Sequence, residues 1–304
     1  MAKTDLIGVV TVTYNSGKVL PDFLRCMAEQ THHEFLLFAV DNASTDDTTL
    51  LLRECGDERL RVIANPDNRG VAAGNNQGIT AALEAGCHSV LLINNDTEFD
   101  SSLIAQLHEG LATHHVEMIC PKIMYFGEPN RIWAAGGTFQ PWLGYNSIHF
   151  GEGETDRGQY DCARLVTYVP TCCVLIEAKV FESVGLMDER YFAYVDDVDF
   201  MYRAMKAGIK LLYLPEATLL HKVGRLTGGA DSPFAIRYGT RNRIFFMLKH
   251  FGLIPTLPWL AIRQIAWMLA LVLGKKNLDW YRIKNEALRN GLRMHRNSVQ
   301  EKVR

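Results

Sequence analysis

The sequence predicts an α/β fold with a mostly parallel central sheet flanked by helices and a C-terminal helical extension. Short apolar runs alternate with helical segments from the N-terminus to about residue 113, and such alternation is typical of βαβ units. Polar residues also follow the apolar runs where the predicted strands end. A content of 48% hydrophobic and 22% charged residues in a chain of 304 indicates an ordered globular protein and excludes disordered and collagenous chains.

The predicted strands are compact apolar runs. Leu6–Tyr14 is the first, and its Val and Thr residues favour a buried strand. The next runs along the chain are Phe35–Val40, Leu60–Ala64 and Ser89–Ile93. Strand character returns later in Leu165–Val169, in Val174–Glu177 and in Leu211–Leu214, which we expect to end before Pro215.

The predicted helices lie between these runs, and residues that favour helix termini mark their ends. Ser44-Thr45-Asp46-Asp47 caps the second helix, whose acidic first turn suits the helix dipole. Glycine ends two others, at Gly86 and Gly208. The helices are predicted over Pro21–Gln30, from that cap to about Glu54, and over Ala72–Ala85, Ser101–Thr113 and Val198–Ala207.

The pattern loosens between about residues 125 and 165. Gly, Trp, Tyr and Pro recur there, as in Trp133, Gly136-Gly137 and Pro141-Trp142. We expect a long aromatic loop region, and such a region in a compact domain is usually functional or forms a lid.

The formal net charge of −2 conceals two parts of opposite charge. Residues 222–304 hold 16 Lys/Arg and 4 Asp/Glu, a net charge of +12, which leaves −14 for residues 1–221. A basic tail of this kind suggests contact with nucleic acid or with a membrane surface. The seven cysteines are odd in number and form no C-x-x-C motif, so we expect reduced, mostly buried thiols in a reducing compartment.

Four polar segments are candidate sites, and two of them lie in the first 80 residues. Asn15 follows the first strand and Asp41 the second, where a carboxylate can accept a hydrogen bond from a nucleobase or ribose; a turn with a helix cap is the alternative. Asn68–Gly78 is rich in glycine and small residues, which admit a phosphate at a helix start, although helix packing also explains them. It matches neither the dinucleotide-binding motif nor the P-loop.

The third segment, Asn94-Asn95-Asp96-Thr97, directly follows the fourth strand. A strand-end carboxylate with a nearby amide oxygen suits Mg²⁺ or Mn²⁺ held jointly with phosphates, and a polar turn is the alternative. The fourth segment, Tyr191–Phe200, contains the carboxylates Asp196, Asp197 and Asp199 among aromatic residues. Like charges this close raise one another's pKa, which suits a general base; capping of the following helix is the alternative and can coexist with it.

In this order and spacing the four segments resemble a family 2 glycosyltransferase with the GT-A fold. The resemblance covers about residues 6–245. Within the family, Asn94-Asn95-Asp96-Thr97, the aromatic and acidic segment and His221-Lys222-Val223-Gly224 most resemble bacterial rhamnosyltransferases and their relatives. The resemblance implies a catalytic domain over 1–245, with a nucleotide-sugar half to about residue 100 and an acceptor half over 101–245. Residues 246–304 then form the basic, apolar helical extension.

The resemblance also implies a role for each matching position. Asp41 is implied to contact the base or ribose of the nucleotide, in a pocket that Thr13 and Asn15 line. Arg69 and Gly74 border the diphosphate and ribose. The full set of implied nucleotide-sugar ligands is Thr13, Asn15, Asp41, Arg69, Gly74, Asn95 and Lys222.

For the metal, the resemblance implies that Asp96 binds the ion that bridges the diphosphate and that His221 completes its coordination, with Asn94 beside them. The D-x-D motif of the family is here Asn94-x-Asp96, so one carboxylate is missing. Asp197 resembles the catalytic base. Relatives often carry Glu at the position of Asp196, which leaves the choice between the two aspartates open.

Four polar side chains that follow His221 are further candidates. Lys222 and Arg225 lie in a basic, glycine-rich segment, where they can pair with phosphates. Arg241 and Asn242 lie on a predicted helix and face either the donor or the solvent.

The resemblance implies an inverting transfer that depends on Mg²⁺ or Mn²⁺. Asp197 takes the proton from an acceptor hydroxyl, whose oxygen attacks the anomeric carbon of the sugar. Asp96 and His221 hold the metal that neutralises the departing diphosphate. Rhamnose from dTDP-rhamnose is the expected donor sugar, with a UDP-hexose or UDP-galactofuranose as the alternative. We expect a glycan or lipid-linked acceptor in cell-surface polysaccharide assembly.

The C-terminal extension contains an apolar stretch that predicts contact with a membrane surface. Phe251–Leu273 carries one charge, Arg263, in 23 residues. Pro255 and Pro258 leave an unbroken part of 15 residues over Trp259–Leu273, too few to span a bilayer. An interfacial helix followed by a basic helix suits anionic lipid over residues 251–296, and a helix packed on the catalytic domain or in a homodimer is the alternative.

These expectations describe a cytoplasmic protein, peripheral on the inner face of the bacterial membrane, with no nucleic-acid partner. The N-terminal apolar run is too short for a signal peptide. Two other classes of protein are alternatives. A nucleotidyltransferase would need a Gly-rich basic loop near the N-terminus, and Tyr14-Asn15-Ser16-Gly17-Lys18 has only one glycine. A non-catalytic nucleotide-sugar-binding module would leave the cluster Asp196–Asp199 without a function.

Overall fold

The computed structural model describes residues 6–223 and 231–303, which form a ten-stranded mixed sheet and a small two-stranded sheet. The strands are β1 (Ile7–Thr13), β2 (Phe35–Asp41), β3 (Leu60–Ala64), β4 (Ser89–Ile93), β5 (Thr97–Phe99), β6 (Met118–Tyr125), β7 (Glu128–Ala134), β8 (Gly137–Gln140), β9 (Asn146–His149), β10 (Arg164–Val166), β11 (Cys173–Glu177) and β12 (Leu211–His221). The helices are α1 (Leu20–Ala28), α2 (Thr48–Glu54), α3 (Val71–Glu84), α4 (Leu103–His114), α5 (Ala178–Val184), α6 (Asp196–Lys206), α7 (Pro233–Phe251), α8 (Leu253–Val272) and α9 (Leu278–Val303). The order of the large sheet is β10-β12-β6-β11-β4-β1-β2-β3, with β5 added to β12 and β7 to β6.

The first half of the sheet is parallel, as predicted. β1 lies between β2 and β4 and pairs in parallel with both, and β3 continues the sheet beside β2. Because α1, α2 and α3 connect successive strands, the carboxyl ends of these strands meet at one edge, where ligands of such sheets bind. Thr13 stands opposite Asp41 in the register of β1 and β2. The polar residues that follow both strands therefore lie side by side.

The second half of the sheet is mixed. β11 pairs antiparallel with both β4 and β6, whereas β6 and β12 are parallel. β12 continues past Pro215 to His221, because a register shift between Leu214 and Thr218 takes the proline out of the regular ladder. The prediction that this strand ends before Pro215 is therefore wrong, and the longer strand carries His221 to the candidate site.

Two glycines set how closely α3 packs on β1. A Cβ atom on Gly78 would stand 2.3 Å from Cγ1 of Val10, and one on Gly74 would stand 2.8 Å from Cγ1 of Val12. A larger residue at either position would push the helix off the sheet. The structure thus gives Gly74 a packing reason, and its predicted contact with the donor remains a prediction.

Residues 125–165 form short strands and turns instead of one long loop region. β7 pairs with the end of β6, and β8 and β9 form a hairpin whose tip is a 3₁₀ turn over Pro141–Leu143. β6 itself was not expected, because Lys122 interrupts its apolar run. The ammonium of Lys122 can be buried there since it pairs with Asp156 at 2.9 Å and Asp161 at 2.5 Å.

The C-terminal helices pack together and leave one side of α8 exposed. α7 packs along α9 and continues across the predicted domain boundary at residue 245. α8 begins at Leu253 and continues through Pro258, so the prediction of an unbroken part that starts at Trp259 is wrong. Pro255 lies in the first turn, where its missing N–H costs little, and Pro258 lies inside the helix. By length and composition, α8 is the one helix within residues 6–223 and 231–303 that could cross a membrane.

The seven cysteines are free thiols. Burial raises the pKa of Cys87 to about 11, so this thiol stays protonated at neutral pH. Cys162 is the exposed member of the set, and the buried members are Cys26, Cys87, Cys120, Cys172 and Cys173. The predicted state of reduced, mostly buried thiols agrees with this arrangement.

Candidate active site

The carboxyl ends of β1 and β2 form the first part of the site. The Thr13 hydroxyl donates to Oδ1 of buried Asp41 at 2.9 Å, and the Ser44 backbone N–H donates to Oδ2 at 3.0 Å. Asn15 has a φ of 51° and is held by Ser44 and Thr45, whose N–H donates to Asn15 Oδ1 at 2.8 Å. Three predicted nucleotide ligands, Thr13, Asn15 and Asp41, are therefore neighbours in one hydrogen-bonded corner.

The start of α3 closes against the segment that precedes the acidic cluster. Gly70 has a φ of +86°, and a Cβ atom there would stand 2.3 Å from the backbone oxygen of Phe192. That oxygen accepts from the N–H of Val71 at 2.8 Å. Arg69 remains half-exposed beside Asp67, with 3.9 Å between Nε and Oδ1. The predicted donor-binding loop thus touches the segment that carries the predicted base.

Asp96 and His221 meet where β4 and β12 end. Nε2 of His221 lies 3.3 Å from Oδ1 of Asp96, and both residues are only 7% exposed. The N–H of Lys222 also donates to the backbone oxygen of Asp96 at 2.8 Å. Burial lowers the pKa of His221, but the Cys172 sulfur and the Asp96 carboxylate outweigh it and raise the pKa to about 10. The imidazole is therefore protonated at neutral pH and faces the Asp96 carboxylate, and binding of a metal ion by His221 would require loss of this proton.

The donor set around Asp96 fits a divalent ion that also binds phosphate. Within the described part of the chain, no three or more His, Cys, Asp and Glu side chains are grouped so that they could hold a metal ion by themselves. A carboxylate oxygen and an imidazole nitrogen would therefore supply two positions, and diphosphate oxygens the others, as Mg²⁺ and Mn²⁺ accept. Oδ1 of Asn95 is buried with no hydrogen-bond partner among the described residues, while its amide donates to the Val12 carbonyl at 2.6 Å. Such an oxygen is costly unless a ligand satisfies it.

Asp196 and Asp197 begin α6 and differ in their surroundings. Asp196 is 4% exposed, and burial together with the neighbouring Asp197 raises its pKa to about 8. Asp197 is half-buried and accepts the Tyr168 hydroxyl at 2.6 Å and the Val198 N–H at 2.8 Å. Burial raises the pKa of Asp197 as well, and these two hydrogen bonds oppose the rise. Asp196 therefore favours the protonated form at neutral pH, and Asp197 is the more accessible member of the pair.

Asp199 does not belong to this pair. Its side chain is fully buried and contacts Arg203 at 2.9 Å, Lys249 at 2.7 Å and His250 at 2.7 Å. Burial alone would raise the pKa of Asp199, but the hydrogen bond with His250 and the charge of Lys249 lower it below the ordinary carboxyl range. The third carboxylate of the cluster thus ties α6 to α7, and its charge makes only a minor contribution to the raised pKa of Asp196.

A row of aromatic rings joins the two polar centres. The ring of Trp133 lies 4.5 Å from His221 and 4.8 Å from His149, measured between centroids. His149 in turn stacks on Tyr168 at 5.7 Å, and Tyr168 donates to Asp197. The region that was expected to be a loop therefore forms the wall between the predicted metal ligands and the predicted base.

Asn242 fixes the backbone that leads to the acidic pair. Its side chain is fully buried and donates to the carbonyl oxygens of Ala193 at 2.7 Å and Tyr194 at 2.8 Å. Tyr194 and Val195 have φ values of 65° and 69°, which are unfavourable for non-glycine residues and most of all for valine. Arg241 donates to Asn242 Oδ1 at 2.7 Å. The sequence did not decide whether Arg241 and Asn242 face the donor or the solvent. The structure shows that Asn242 is buried against this backbone.

Replacing Asn242 by Ala should lower kcat about tenfold or more, because small misplacements of a reacting group cost this much, with less effect on the KM for the donor. Steady-state kinetics on the purified protein measures this split. Asn297→Ala, at an exposed position on α9, is the matched control. A lower melting temperature with unchanged kcat for the folded fraction would show that Asn242 stabilises the fold without positioning the base.

The remaining predicted residues lie less directly at the site. The ammonium of Lys222 is buried between Asp22 and Glu98, with both oxygens at 2.6 Å, so a contact with the donor would require these pairs to open. Asn94 is exposed, and its carbonyl accepts from Thr97 at 2.7 Å. Arg225 and Gly224 lie outside the described residues.

Sequence reasoning assigned no site role to His149 or Tyr168, and it named Trp133 only as part of the aromatic region. Trp133 and His149 lie on β7 and β9, and Tyr168 forms an isolated bridge after β10. Turns interrupt the periodicity of this stretch, so no pattern in the sequence indicates which ring faces the site. The density of aromatic residues between 125 and 168 was the available signal.

Curated relatives of similar length exist. The chain is 25% identical to the low-salt glycan biosynthesis hexosyltransferase Agl10 of Haloferax volcanii, over 91% of this chain and 87% of the relative. It is 26% identical to the N-acetylglucosaminyl-diphospho-decaprenol L-rhamnosyltransferase of Mycobacterium tuberculosis, over 82% and 86%. It is 23% identical to the dTDP-rhamnosyl transferase RfbF of Shigella flexneri, over 86% of each.

Solved structures share the fold. GalNAc-T7, crystallised with UDP, GalNAc and Mn²⁺, superposes with a TM-score of 0.64 at 14% identity, over 99% of this chain and 58% of that one. Staphylococcus aureus TarS in complex with UDP-GlcNAc gives 0.62 at 17% identity, over 95% and 81%. These likenesses establish the GT-A fold. The glycosyl transferase family 2 model matches residues 8–185, more than half of the chain, and the protein therefore belongs to glycosyl transferase family 2.

Proposed function

We propose that this glycosyltransferase moves rhamnose from dTDP-rhamnose to a hydroxyl of a glycan or lipid-linked acceptor, with inversion at the anomeric carbon. The observation that carries the proposal is the separation of two polar centres by one aromatic wall: the Asp96–His221 pair at one end and Asp197 at the other. One centre suits a departing diphosphate and the other an attacking hydroxyl. The rhamnose donor is supported by two relatives that are named as rhamnosyltransferases.

In the proposed reaction Asp197 accepts the proton of the acceptor hydroxyl, and the oxygen forms a bond to the anomeric carbon. The bond from that carbon to the diphosphate oxygen breaks, and the nucleoside diphosphate leaves from the opposite face. Asp41, Thr13 and Asn15 hold the nucleoside, with Arg69, Gly74 and Asn95 nearer the diphosphate. A divalent ion bound by Asp96 and His221 would supply positive charge to the leaving group.

A hexose donor is the second candidate, because the relative in Haloferax volcanii is named as a hexosyltransferase. Nucleotide release from dTDP-rhamnose, UDP-hexoses and UDP-galactofuranose, with and without acceptor, separates these donors. Release that depends on the acceptor supports transfer, and NMR of the product gives the anomeric configuration. Release of pyrophosphate would indicate a nucleotidyltransferase, and no turnover with any donor would indicate a binding module.

Removal of Asp96 should abolish the effect of the metal on nucleotide binding. In the parent protein, Mn²⁺ should increase the stabilisation that dTDP gives against thermal unfolding. A ligand present at a hundred times its Kd raises the free energy of unfolding by about 2.7 kcal/mol. In Asp96→Asn this Mn²⁺-dependent increment should vanish, because one of two protein ligands is lost. Asp100→Asn, at an exposed carboxylate nearby in sequence, should keep it. An undiminished increment in Asp96→Asn would contradict the assigned ligand.

We also propose that the protein is peripheral on the inner face of a bacterial membrane, through residues 251–296, where a lipid-linked acceptor would be available. Support comes from the exposed side of α8 and from the net charge of this segment, which has eight Lys/Arg and two Asp/Glu. A homodimer through the same helix is the competing use of this surface.

A further inference from the structure

Two large apolar side chains project at the tip of the β8–β9 hairpin. Trp142 is 78% exposed and Leu143 is 52% exposed. An exposed tryptophan beside an exposed leucine is costly in water, and tryptophan is enriched where proteins meet the headgroup layer of a membrane. The tip therefore needs an explanation beyond the folding of the hairpin.

The tip is fixed against the C-terminal helices. Gly144 follows it with a φ of +70°, and a Cβ atom there would stand 2.9 Å from Nε1 of Trp259 on α8. The ring of Tyr145 stacks on Phe251 at 4.9 Å between centroids. Trp142 and Leu143 thus lie beside the first half of α8, whose exposed apolar side chains recur every three to five residues: Ile254, Leu257, Ile262, Ile265, Met268 and Val272.

Basic residues lie within α8 and follow it along the chain. Arg263 lies over the Trp259 ring at 5.6 Å, and Lys275 follows the end of α8. Exposed arginines continue along α9 at positions 282, 289, 293 and 296. Apolar side chains flanked by cations are complementary to a bilayer with anionic headgroups.

The other end of the same hairpin reaches the candidate base. Gly137 at the start of β8 forms a bridge with Tyr168, and His149 at the end of β9 stacks on the Tyr168 ring. The Tyr168 hydroxyl donates to Asp197. One rigid element therefore connects the apolar tip with the carboxylate that would receive the acceptor hydroxyl.

We infer that Trp142, Leu143 and the exposed side of α8 form one surface that binds an anionic bilayer, and that the hairpin sets the height of Asp197 above it. This inference rests on the proposed function, since it explains how a lipid-linked acceptor would reach the base. A second copy of the chain fits the surface less well, because a two-fold contact would bring like charges together. A spanning orientation is disfavoured because Arg263 would lie within the apolar layer and one side of α8 packs on the protein.

Flotation of the full chain with vesicles tests the surface. The probes are vesicles of phosphatidylcholine with and without phosphatidylglycerol, and the variant is W142S/L143S. We expect the parent protein to float with anionic vesicles. The variant should bind them more weakly by about tenfold or more, because two inserted apolar side chains are lost. Leu50→Ser and Leu165→Ser remove exposed leucines from other surfaces and should bind like the parent.

Activity with two acceptors then separates the surface from the proposed function. With a lipid-linked acceptor in vesicles, W142S/L143S should lose about as much activity as it loses binding, while a water-soluble acceptor of the same sugar should be used at the parental rate. Equal flotation of variant and parent would overturn the surface assignment. So would a variant that floats like the parent but changes from dimer to monomer in light scattering. Absence of transfer to either acceptor, with flotation as expected, would overturn only the proposed function.

Discussion

Asp197→Asn should lower kcat by roughly 10²- to 10⁴-fold, which is the usual contribution of a general base. The asparagine keeps the size of the side chain, and its Oδ1 can still accept a hydrogen bond, but it cannot take a proton from the acceptor. Binding of the nucleotide sugar should be unchanged, because Asp197 lies at the other end of the aromatic wall from Asp96. Single-turnover kinetics together with titration calorimetry of the donor measures both quantities.

The choice between Asp197 and Asp196 follows from their exposure and charge. Asp196 is 4% exposed with a pKa raised to about 8, so at neutral pH it is largely protonated and shielded from substrate. Asp197 is half-buried and is stabilised as a carboxylate by Tyr168. Asp196→Asn should therefore reduce kcat much less than Asp197→Asn. Near-normal turnover in Asp197→Asn would exclude it as the base, and a larger loss in Asp196→Asn would assign the role to its neighbour.

The pH profile gives a second measure of the same assignment. A base works deprotonated, so kcat/KM should fall as the pH falls through the raised pKa of Asp197. The Tyr168 hydroxyl lowers that pKa by its hydrogen bond, so Tyr168→Phe should move the acidic limb to higher pH. A limb that stays in place in Tyr168→Phe would show that another group controls the rate.

The parallel half of the sheet could be predicted from the sequence because each strand there is one unbroken apolar run. Leu60–Ala64 and Ser89–Ile93 have the predicted bounds in the structure, and the polar residues after them in the chain lie at the sheet edge for topological reasons that hold for any parallel sheet. The part of the candidate site at the ends of these strands could be predicted for the same reason. Asp41 and Asp96 are recognisable because each carboxylate stands at the end of an apolar strand or within three residues of it.

The second half depends on contacts between distant residues, which no local pattern encodes. His221 reaches Asp96 only because β12 passes Pro215 through a register shift. Tyr168 follows β10 and has no sequence signal of its own until folding places its hydroxyl at Asp197. Asp199 was grouped with the base because it is two residues away in sequence, yet an offset of two residues places it on the opposite face of α6, toward α7.

Asp199→Ala should destabilise the protein by about 3–5 kcal/mol, because it leaves buried cations without their anion. Arg203, Lys249 and His250 all contact this carboxylate within 2.9 Å, and Asp199 has no exposed surface. The free energy of unfolding from urea titration measures the loss. Glu177→Gln is the matched control, since its pair with Lys179 at 2.6 Å is on the surface and should be worth less than about 1 kcal/mol.

The sign of the pH dependence separates a charge effect from a packing effect at Asp199. The pKa of Asp199 is lowered in the folded protein, so its contribution to stability is complete above the ordinary carboxyl range and declines as the pH falls below about 4. Asp199→Asn keeps the side-chain size but loses the charge, and its deficit relative to the parent should therefore shrink in acid. A deficit that is the same at pH 7 and in acid would mean that lost packing, and not the unpaired cations, accounts for the destabilisation. In either case the coupling of α6 to α7 is tested without altering Asp197, because the two carboxylates contact different neighbours.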